Sequence, residues 1–488
     1  MSKISFPYPF PEHLSIIVPE MFIAVMAMTV LLWSLFLPKE KNYIAAWMAA
    51  SACAAAIPLL LSQAGAIGLT TFYGFFILDA FAVYAKLILL LTSIFAIVMS
   101  IDFMKKEANA GEYYAMILFA VLGMMFMISA ANLVMMYLSM ELMALSVYVL
   151  VAYQREVVRS SEAALKYFIL GSLASGIMLY GMSFLYGVTG QFDFQAIGIA
   201  LQGVGHNGHL AVMVGMLFVI VGLAFKLSAA PFHMWTPDAY EGAPTPVTAF
   251  MSVAPKIAAF ALFIRFLVEA LPAVQHEYIP ILTGLALLTM AVGNIAAIAQ
   301  RNIKRMLAYS TIGHVGFALL GLIAANADGY AGVLTYLTIY LFMNMGIFAI
   351  IILMRGKDGF KGELIDDYAG MSQKRPIYAL AMALLLLSLA GIPFLGGFWA
   401  KYAVFIAAIE AGHVVLALIA LLFSVVGAFY YLRIIKYIYF DQPRGEFEIS
   451  DNSTMQVIVT VCTIMVVVLG LFPGPLMELC HQALIGLV

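Results

Sequence analysis

The chain has 488 residues, of which 64% are hydrophobic and 10% charged, and its mean hydropathy is +1.02. Soluble domains are about a quarter charged, so this composition excludes an ordinary cytosolic domain, a disordered chain and a nucleic-acid-binding protein. The net charge of −2 at pH 7 also provides no basic field that would attract nucleic acid or acidic substrates. The composition predicts an all-α polytopic protein embedded in a lipid bilayer.

Apolar runs of about 20 residues recur along the whole chain, and this is the length that an α-helix needs to cross a bilayer. Charged or Pro/Gly-rich breaks divide the runs, so we expect a bundle of about 14 transmembrane helices. The predicted spans cover residues 14–36, 43–61, 76–100, 113–131, 132–153, 162–187, 210–235, 247–270, 278–300, 303–325, 331–354, 376–412, 413–440 and 454–480.

The basic residues indicate the direction of these spans. Of the 24 lysines and arginines, 17 lie in the connections after spans one, three, five, nine, eleven and thirteen. By the positive-inside rule, these connections face inward and both termini are expected on the outer side of the membrane. The connection after span seven, residues 236–246, has no lysine or arginine. The 17 residues are Lys39, Lys41, Lys105, Lys106, Arg155, Arg159, Arg301, Lys304, Arg305, Arg355, Lys357, Lys361, Lys374, Arg375, Arg433, Lys436 and Arg444.

The sequence has few residues that could hold a cofactor. Its three cysteines, Cys53, Cys462 and Cys480, lie far apart in apolar stretches. It contains no CxxC pair, no Cys/His cluster and no glycine-rich nucleotide-binding motif. We therefore expect no metal, no redox centre and no nucleotide on this chain.

Two predicted spans carry a proline in the same short pattern. The pattern LxxxPF occurs at residues 227–232 and again at 389–394, which is 162 residues later. The second proline, Pro393, is expected to break the span at 376–412, because a single helix of that length would exceed a hydrocarbon core of about 30 Å. Paired broken helices in corresponding positions predict two homologous halves and an ion site near the middle of the membrane.

Charged residues within the predicted spans are the candidates for that site. At about 2.5–3.5 kcal/mol each near a span centre, five such charges would cost about 12–18 kcal/mol if they faced lipid. That cost exceeds the usual net stability of a folded protein. They are therefore expected to face the bundle interior, where they are paired, hydrated or neutral. The five are Lys86, Glu141, Lys226, Lys256 and Lys401.

The positions of four of these residues favour proton transfer. Glu141 and Lys256 fall near the middle of their spans, and Lys226 precedes the first break, where its ammonium is expected beside the carbonyl of Leu227. Burial makes a lysine release its proton more easily, and a nearby carboxylate opposes the release. Movement of Glu141 relative to Lys226 would therefore switch the lysine, and Lys256 and Lys401 would continue a relay.

Three further residues are candidate members of this relay. His233 and His314 carry imidazoles that exchange protons near neutral pH, and Lys166 lies near the start of span six. Each also has a purely structural interpretation. The histidines are equally consistent with satisfied polar groups in the bundle, and Lys166 with a lysine that extends to the membrane interface.

Three charged residues near the N-terminus also have structural interpretations. Asp79 and Lys86 are seven residues apart on one helical face, which is consistent with a polar pair. Glu20 follows Pro19 early in the first span and is expected at the outer interface.

Three stretches of the sequence resemble a known membrane family. They are KLSAAPFHMWTPDAYEGAPTPVTAFMSVAPKI at residues 226–257, YLSMELMALSVYVL at 137–150 and GIPFLGGFWAKYAVF at 391–405. Through them, nearly the whole chain resembles the proton-translocating, antiporter-like subunits of respiratory NADH:quinone oxidoreductase (complex I) and their Mrp-type relatives. In having a lysine at position 401, the chain resembles one branch of the complex I subunits. Subunit M typically has a glutamate there, and subunit L is typically longer by a lateral amphipathic helix.

The resemblance implies a domain organisation. Residues 1–112 would form N-terminal helices one to three, and residues 441–488 would form the final helix. Between them, residues 113–275 and 276–440 would form two inverted five-helix repeats, each with a broken helix. The membrane would be the bacterial inner membrane, with both termini on the periplasmic side.

The resemblance also implies roles for the candidate residues. Glu141 and Lys226 would form an ion pair that modulates the lysine, Lys256 would be the central relay, and Lys401 would lead to the outer exit. The auxiliary members of the hydrophilic axis would be Lys166, His233 and His314.

The cofactors and partners follow from the same resemblance. FMN, iron–sulfur clusters and quinone would belong to partner subunits, and this chain would contact other membrane subunits of complex I as well as lipid. Two alternatives stay open at this point: a subunit of a gradient-driven Mrp-type Na⁺/H⁺ antiporter, and a structural membrane scaffold. The charges in the spans count against the scaffold.

Overall fold

The computed structural model describes residues 13–38, 41–104, 110–356, 359–360, 362–443, 448–449 and 452–487. The described chain is mostly helical, which confirms the all-α fold class. The α-helices of the first half of the chain are α1 (Val18–Ser34), α2 (Tyr43–Leu61), α3 (Ala80–Met104), α4 (Ala110–Ile128), α5 (Leu133–Val151), α6 (Val158–Thr189), α7 (Phe194–Leu201), α8 (His206–Leu227), α9 (Trp235–Gly242) and α10 (Thr245–Arg265). The first break lies between α8 and α9.

A π-helical turn extends α10 over Phe266–Ala270, and the second half of the chain follows. Its helices are α11 (Gln275–Ile298), α12 (Ile303–Ala324), α13 (Ala327–Leu353), α14 (Met371–Lys374), α15 (Pro376–Ala390), α16 (Gly396–Glu410), α17 (Val414–Phe440), α18 (Ser453–Leu471) and α19 (Gly474–Ala483).

Within the described residues, 13 helical stretches are long and apolar enough to cross a membrane. The remaining predicted crossing, span twelve at 376–412, corresponds to the shorter helices α15 and α16, which are separated by Gly391–Leu395. The break predicted at Pro393 is therefore confirmed. The chain is thus a multi-pass membrane protein of the predicted class.

The break predicted at Pro231 in span seven is also present: α8 ends at Leu227, since Pro231 cannot donate a helical hydrogen bond to the Leu227 carbonyl. One predicted boundary was wrong. The last span was expected as one helix over 454–480, but α18 ends at Leu471 and a separate helix begins at Gly474. Pro475 again lacks the N–H that would bind Leu471.

Helices α10, α12 and α13 form the centre of the bundle. The most apolar windows of α10 and α13 are 100% buried, and that of α12 is 94% buried. Small residues allow two of these helices to approach closely, because a Cβ at Gly321 would lie only 2.5 Å from the Gly329 carbonyl oxygen. A side chain on this central triad therefore faces protein and not lipid.

The strands are short and lie in connections. β1 (Leu69–Thr71) pairs antiparallel with β2 (Phe76–Leu78), with Leu69 opposite Leu78. β3 (Met354–Gly356) pairs antiparallel with both β4 (Gly359–Phe360) and β5 (Glu448–Ile449), so that the order is β4–β3–β5.

The two breaks have similar backbone geometry. Ser228 follows α8 with φ of 67°, and Gly391 follows α15 with φ of 87°, so both helices end in a left-handed residue. The division into inverted repeats at 113–275 and 276–440 stays a prediction.

Ion pairs bring the connections after spans five, seven, nine and eleven to one end of the bundle. Arg159 contacts Glu241 at 2.7 Å and Glu363 at 3.2 Å. Arg305 contacts Asp238 at 2.7 Å and Glu241 at 3.0 Å. We call this end, defined by these five residues, the basic end. The connection that has no basic residue supplies two of the three carboxylates, Asp238 and Glu241, which neutralise the neighbouring arginines.

The side of the membrane that the basic end faces stays a prediction. Six of the basic residues used for the prediction lie outside the described residues: Lys39, Lys105, Lys106, Lys357, Lys361 and Arg444.

Candidate functional site

Glu141 lies in the middle of α5 and is partly buried. The helix begins after Asn132, whose side chain accepts a hydrogen bond from the Met135 N–H at 2.7 Å. Ser175 of α6 donates a hydrogen bond to Glu141 Oε1. Across the described chain, no contact of 4.0 Å or less joins the Glu141 carboxylate to the Lys226 ammonium. The structure therefore holds this carboxylate against a serine.

Lys226 lies in the last turn of α8 and is 2% exposed. Its ammonium has no hydrogen-bond partner among the described residues, so the expected contact with the Leu227 carbonyl is not made. Instead, the ammonium lies 5.8 Å from the ring centroid of Tyr148 and 5.9 Å from that of Phe225. Cation–π attraction to these rings stabilises the buried charge.

Trp235 follows the first break and lies close to both Phe225 and Lys256. The indole N–H donates to the Phe225 carbonyl at 3.1 Å, and the indole stacks on Tyr167 at 4.1 Å between centroids. The ammonium of Lys256 lies 5.2 Å from the same indole. The break thus brings Trp235 onto Phe225, a neighbour of Lys226 in the chain, and against Lys256.

Lys256 is 1% exposed, in the middle of α10. Its ammonium donates to the Met251 carbonyl at 3.3 Å. That carbonyl has no helical partner, because Pro255 is four residues later and lacks an N–H. The Pro–Lys pair in the sequence therefore supplies both an acceptor without a helical partner and a donor to it, and the Tyr240 hydroxyl donates to the same carbonyl at 3.3 Å.

His314 of α12 is 4% exposed and lies between two tyrosines. Its Nδ1 is 2.6 Å from the Tyr336 hydroxyl, and its Nε2 is 2.9 Å from the Tyr431 hydroxyl. His314 and Lys256 line the same internal cavity, together with Tyr340. The cavity leaves about 10 Å³ for the centre of a water molecule, which is room for one.

Lys401 of α16 is 8% exposed, and its ammonium makes two hydrogen bonds inside the bundle. It donates to the Ala390 carbonyl and to the Ser424 hydroxyl, both at 2.9 Å. The Ala390 carbonyl is free because it belongs to the last turn of α15. A Cβ at Gly391 would lie 3.0 Å from Lys401 Cδ, so the glycine leaves space for the lysine stem.

Two of the auxiliary candidates lie away from the buried residues described above. Lys166 is at the basic end, 2.8 Å from Glu162 and 3.0 Å from Asp238, with 47% of its side chain exposed. His233 lies in the connection between α8 and α9, where burial lowers its pKa below the ordinary 6.5. Among the described residues, its Nδ1 has no hydrogen-bond partner.

The sequence analysis missed the carboxylate of Asp238, which binds Arg305 and Lys166. Partial burial raises the pKa of this group, but the hydrogen bonds from the two cations outweigh burial and hold it below the ordinary 3.8. Lys304 was expected in the connection after span nine, whereas it lies in α12, is 3% exposed, and donates to the Ala243 carbonyl at 2.9 Å. The tyrosines around His314 and the hydroxyls of Ser175 and Ser424 were missed because isolated polar residues in apolar spans give no distinctive pattern.

The charges near the N-terminus are paired differently from the prediction. Lys86 Nζ is 2.7 Å from Glu20 Oε1, and both side chains are fully buried. Asp79 is 2.8 Å from Arg265, whose guanidinium also contacts Glu269 at 2.9 Å. Glu20 is therefore an interior residue, and Asp79 and Lys86 have separate partners.

The described residues contain no group of three or more His, Cys, Asp or Glu that could hold a metal ion. Cys53, Cys462 and Cys480 are buried free thiols.

A family model described as "NADH:quinone oxidoreductase/Mrp antiporter, TM" matches residues 130–427. The chain is 45% identical to NADH-quinone oxidoreductase subunit N of Paramagnetospirillum magneticum, over 96% of each chain. It is 48% identical to the subunit of the same name from Magnetococcus marinus, over 95% of this chain and 96% of the relative.

Solved structures have the same fold. A chain of respiratory complex I from Thermus thermophilus, solved with bound aureothin, superposes with a TM-score of 0.81 at 31% identity. The match covers 95% of the present chain and 100% of the other. A chain of the Mrp complex from Dietzia sp. superposes with a TM-score of 0.80 at 20% identity, over 97% and 98% of the two chains, which is a likeness of fold.

Proposed function

We propose that this chain, which belongs to the antiporter-like membrane subunits of NADH-quinone oxidoreductase as a member of the subunit N branch, moves protons through a relay of buried bases. The relay runs from Lys226 to Lys256, His314 and Lys401, and Glu141 controls its first member. Electrons pass from NADH to quinone through FMN and iron–sulfur centres in other subunits, and this chain converts that reaction into proton movement.

One observation carries the proposal: Lys256 and His314 face the same one-water cavity inside the most deeply buried helices. A water there can bind the Lys256 ammonium and the hydroxyl of Tyr336, which lines the same cavity and is hydrogen-bonded to His314 Nδ1, so a proton can pass to the imidazole through that hydroxyl. Beyond His314, the Tyr431 hydroxyl is within hydrogen-bond distance, and the Lys401 ammonium lies 5.1 Å from the Phe317 ring, one turn along α12. The relay thus follows the centre of the molecule.

The first step depends on Glu141. In the structure, this carboxylate is bound by Ser175 and the ammonium of Lys226 is unpartnered among the described residues, which corresponds to one position of a switch. If the carboxylate moves to Lys226, it stabilises the protonated lysine. If it returns to Ser175, burial favours loss of the proton, which can then pass towards Lys256.

Proton pumping by the assembled complex in inverted membrane vesicles tests the proposal, with NADH oxidation measured in the same sample. Lys226→Ala, Lys256→Met and Glu141→Gln are each expected to lower pumping about tenfold or more while assembly is retained. Lys436→Met is the matched control, because Lys436 is 60% exposed and pairs with Asp441 at the surface. Normal pumping by the Lys256 variant would exclude the relay.

The same vesicles distinguish the alternative function. A subunit of a gradient-driven Na⁺/H⁺ exchanger would dissipate an imposed pH gradient on addition of sodium, without NADH. We expect no such exchange, and expect pumping to require NADH and quinone.

A further inference from the structure

Tyr148 of α5 combines three features that the relay above does not use. Its side chain is almost completely buried, its hydroxyl has no hydrogen-bond partner among the described residues, and its ring lies 5.8 Å from the ammonium of Lys226. Buried hydroxyls are nearly always hydrogen-bonded, so an unpartnered one beside an unpartnered ammonium requires an explanation. Phenylalanine would provide the same aromatic packing, so packing alone does not explain the hydroxyl.

The hydroxyl has a specific space on α6. A Cβ at Gly171 would lie 1.9 Å from Tyr148 Oη, so only glycine leaves room for the oxygen at this position. Four residues further along the same helix, Ser175 holds Glu141. Residues four apart lie on one helical face, so the α6 face that accommodates the tyrosine hydroxyl also holds the carboxylate.

Glu141 and Tyr148 are likewise on one face of α5, seven residues apart. Helical side chains lean towards the N-terminus of their helix, so the phenol of Tyr148 extends towards the turn that follows Glu141. The phenol therefore lies on the same side of α5 as the carboxylate, and its ring centroid is 5.8 Å from the Lys226 ammonium that the carboxylate is proposed to control.

We propose that the Tyr148 hydroxyl bridges Lys226 and Glu141 when the carboxylate leaves Ser175. In that arrangement, Tyr148 Oη accepts a hydrogen bond from the lysine ammonium and donates its own proton towards the carboxylate. The bridge transmits the carboxylate's charge to the lysine without direct contact of the two side chains. Tyr148 is thus a positioning residue, and this inference rests on the proposed function of Glu141 and Lys226.

The decisive variant is Tyr148→Phe, which keeps the ring beside Lys226 and removes only the hydroxyl. We expect pumping per NADH oxidised to fall about threefold or more in assembled complex. Tyr113→Phe is the matched control, because it removes another buried hydroxyl that is unpartnered among the described residues, on α4. That control is expected to pump at the parental rate.

A double variant separates bridging from packing. If Tyr148 acts on the carboxylate that Ser175 releases, then Ser175→Ala has little further effect once the hydroxyl is absent, and the two free-energy changes are not additive. Independent, multiplicative effects of the two substitutions overturn the proposal. Parental pumping by Tyr148→Phe also overturns it.

Gly171→Ala provides a second route if Tyr148→Phe does not assemble. The added methyl displaces the hydroxyl, and pumping is expected to fall about threefold or more. Gly176→Ala on the same helix is its control, since a Cβ there meets nothing within 4 Å. Parental pumping by Gly171→Ala contradicts the bridge.

The result for Lys226→Ala distinguishes failure of the relay from failure of the tyrosine bridge. Normal pumping by that variant removes the relay itself. Impaired pumping by Lys226→Ala together with normal pumping by Tyr148→Phe removes only the bridge.

Discussion

The Ser175 hydroxyl of α6 donates a hydrogen bond to the carboxylate of Glu141, which lies on the neighbouring helix α5. Hydrogen bonds to charged groups contribute about 1.5–3 kcal/mol, which is enough to bias a carboxylate between two positions. The serine therefore defines where Glu141 lies when it is away from Lys226.

Ser175→Ala removes that position and should leave the carboxylate biased towards the lysine throughout turnover. We expect pumping about threefold slower or more, because the switch no longer returns. Proton uptake by inverted vesicles measures this. Ser183→Ala is the control, since Ser183 is an exposed serine of the same helix whose hydroxyl binds the Tyr180 carbonyl at 2.7 Å. Equal rates for the Ser175 variant and its control would contradict the assignment.

Ala318→Val tests the water between Lys256 and His314 without changing a titratable group. Ala318 lines the cavity, and two added methyl groups would occupy the room for one water. Pumping should fall about tenfold, with NADH oxidation limited in parallel when the coupling is tight. Overpacking can itself cost about 1–3 kcal/mol, so Ala308→Val, at another buried alanine of α12, is compared for assembly. A fully active Ala318 variant would show that this cavity does not carry the proton.

The carboxylate of Asp238 predicts a pH dependence of stability. Its pKa in the folded chain lies below the ordinary 3.8, so its ion pairs stabilise the fold above that value, and the stabilisation is lost as pH falls through the lower folded pKa. At pH 7, Asp238→Asn should lower stability by about 1 kcal/mol, since two partly exposed pairs contribute about 0.2–1 kcal/mol each.

The measurement is the thermal unfolding midpoint of the solubilised complex from pH 7 down to values below 3.8, where the stabilisation is lost. The parent and the Asp238→Asn variant should converge as pH falls, since protonation removes the charge from the parent. Glu162→Gln serves as control, because Glu162 is a 60% exposed partner of Lys166. A difference between parent and Asp238 variant that grows towards low pH would contradict this sign.

The pair of Glu20 and Lys86 predicts a pattern of rescue. Both side chains are fully buried, so Lys86→Met leaves an unpaired buried carboxylate and should cost about 3–5 kcal/mol. We expect a marked loss of assembled chain in the membrane. The double variant Lys86→Met/Glu20→Leu should restore assembly, because an apolar pair can replace a buried ion pair. Failure of the double variant to recover would indicate that the charges act beyond stability.

The sequence alone determined the fold class and the positions of the breaks. Long apolar runs require helices in a bilayer, because every backbone polar group must be satisfied there. Pro231 and Pro393 lack an N–H, so the helices around them had to end. The cost of exposing charge to lipid likewise placed Lys226 and Lys256 in the interior, where the structure has them.

Only the tertiary structure decided which groups meet. Asp79 and Lys86 share a helical face, but seven residues separate them by about 10 Å along the axis, which is too far for a direct ion pair. Each instead contacts a residue of another helix, namely Arg265 of α10 and Glu20 of α1. Periodicity specifies the face of a helix, whereas the partner depends on how helices distant in sequence pack. For the same reason, the sequence predicted Glu141 beside Lys226, and the packing of α5 on α6 gave the carboxylate to Ser175.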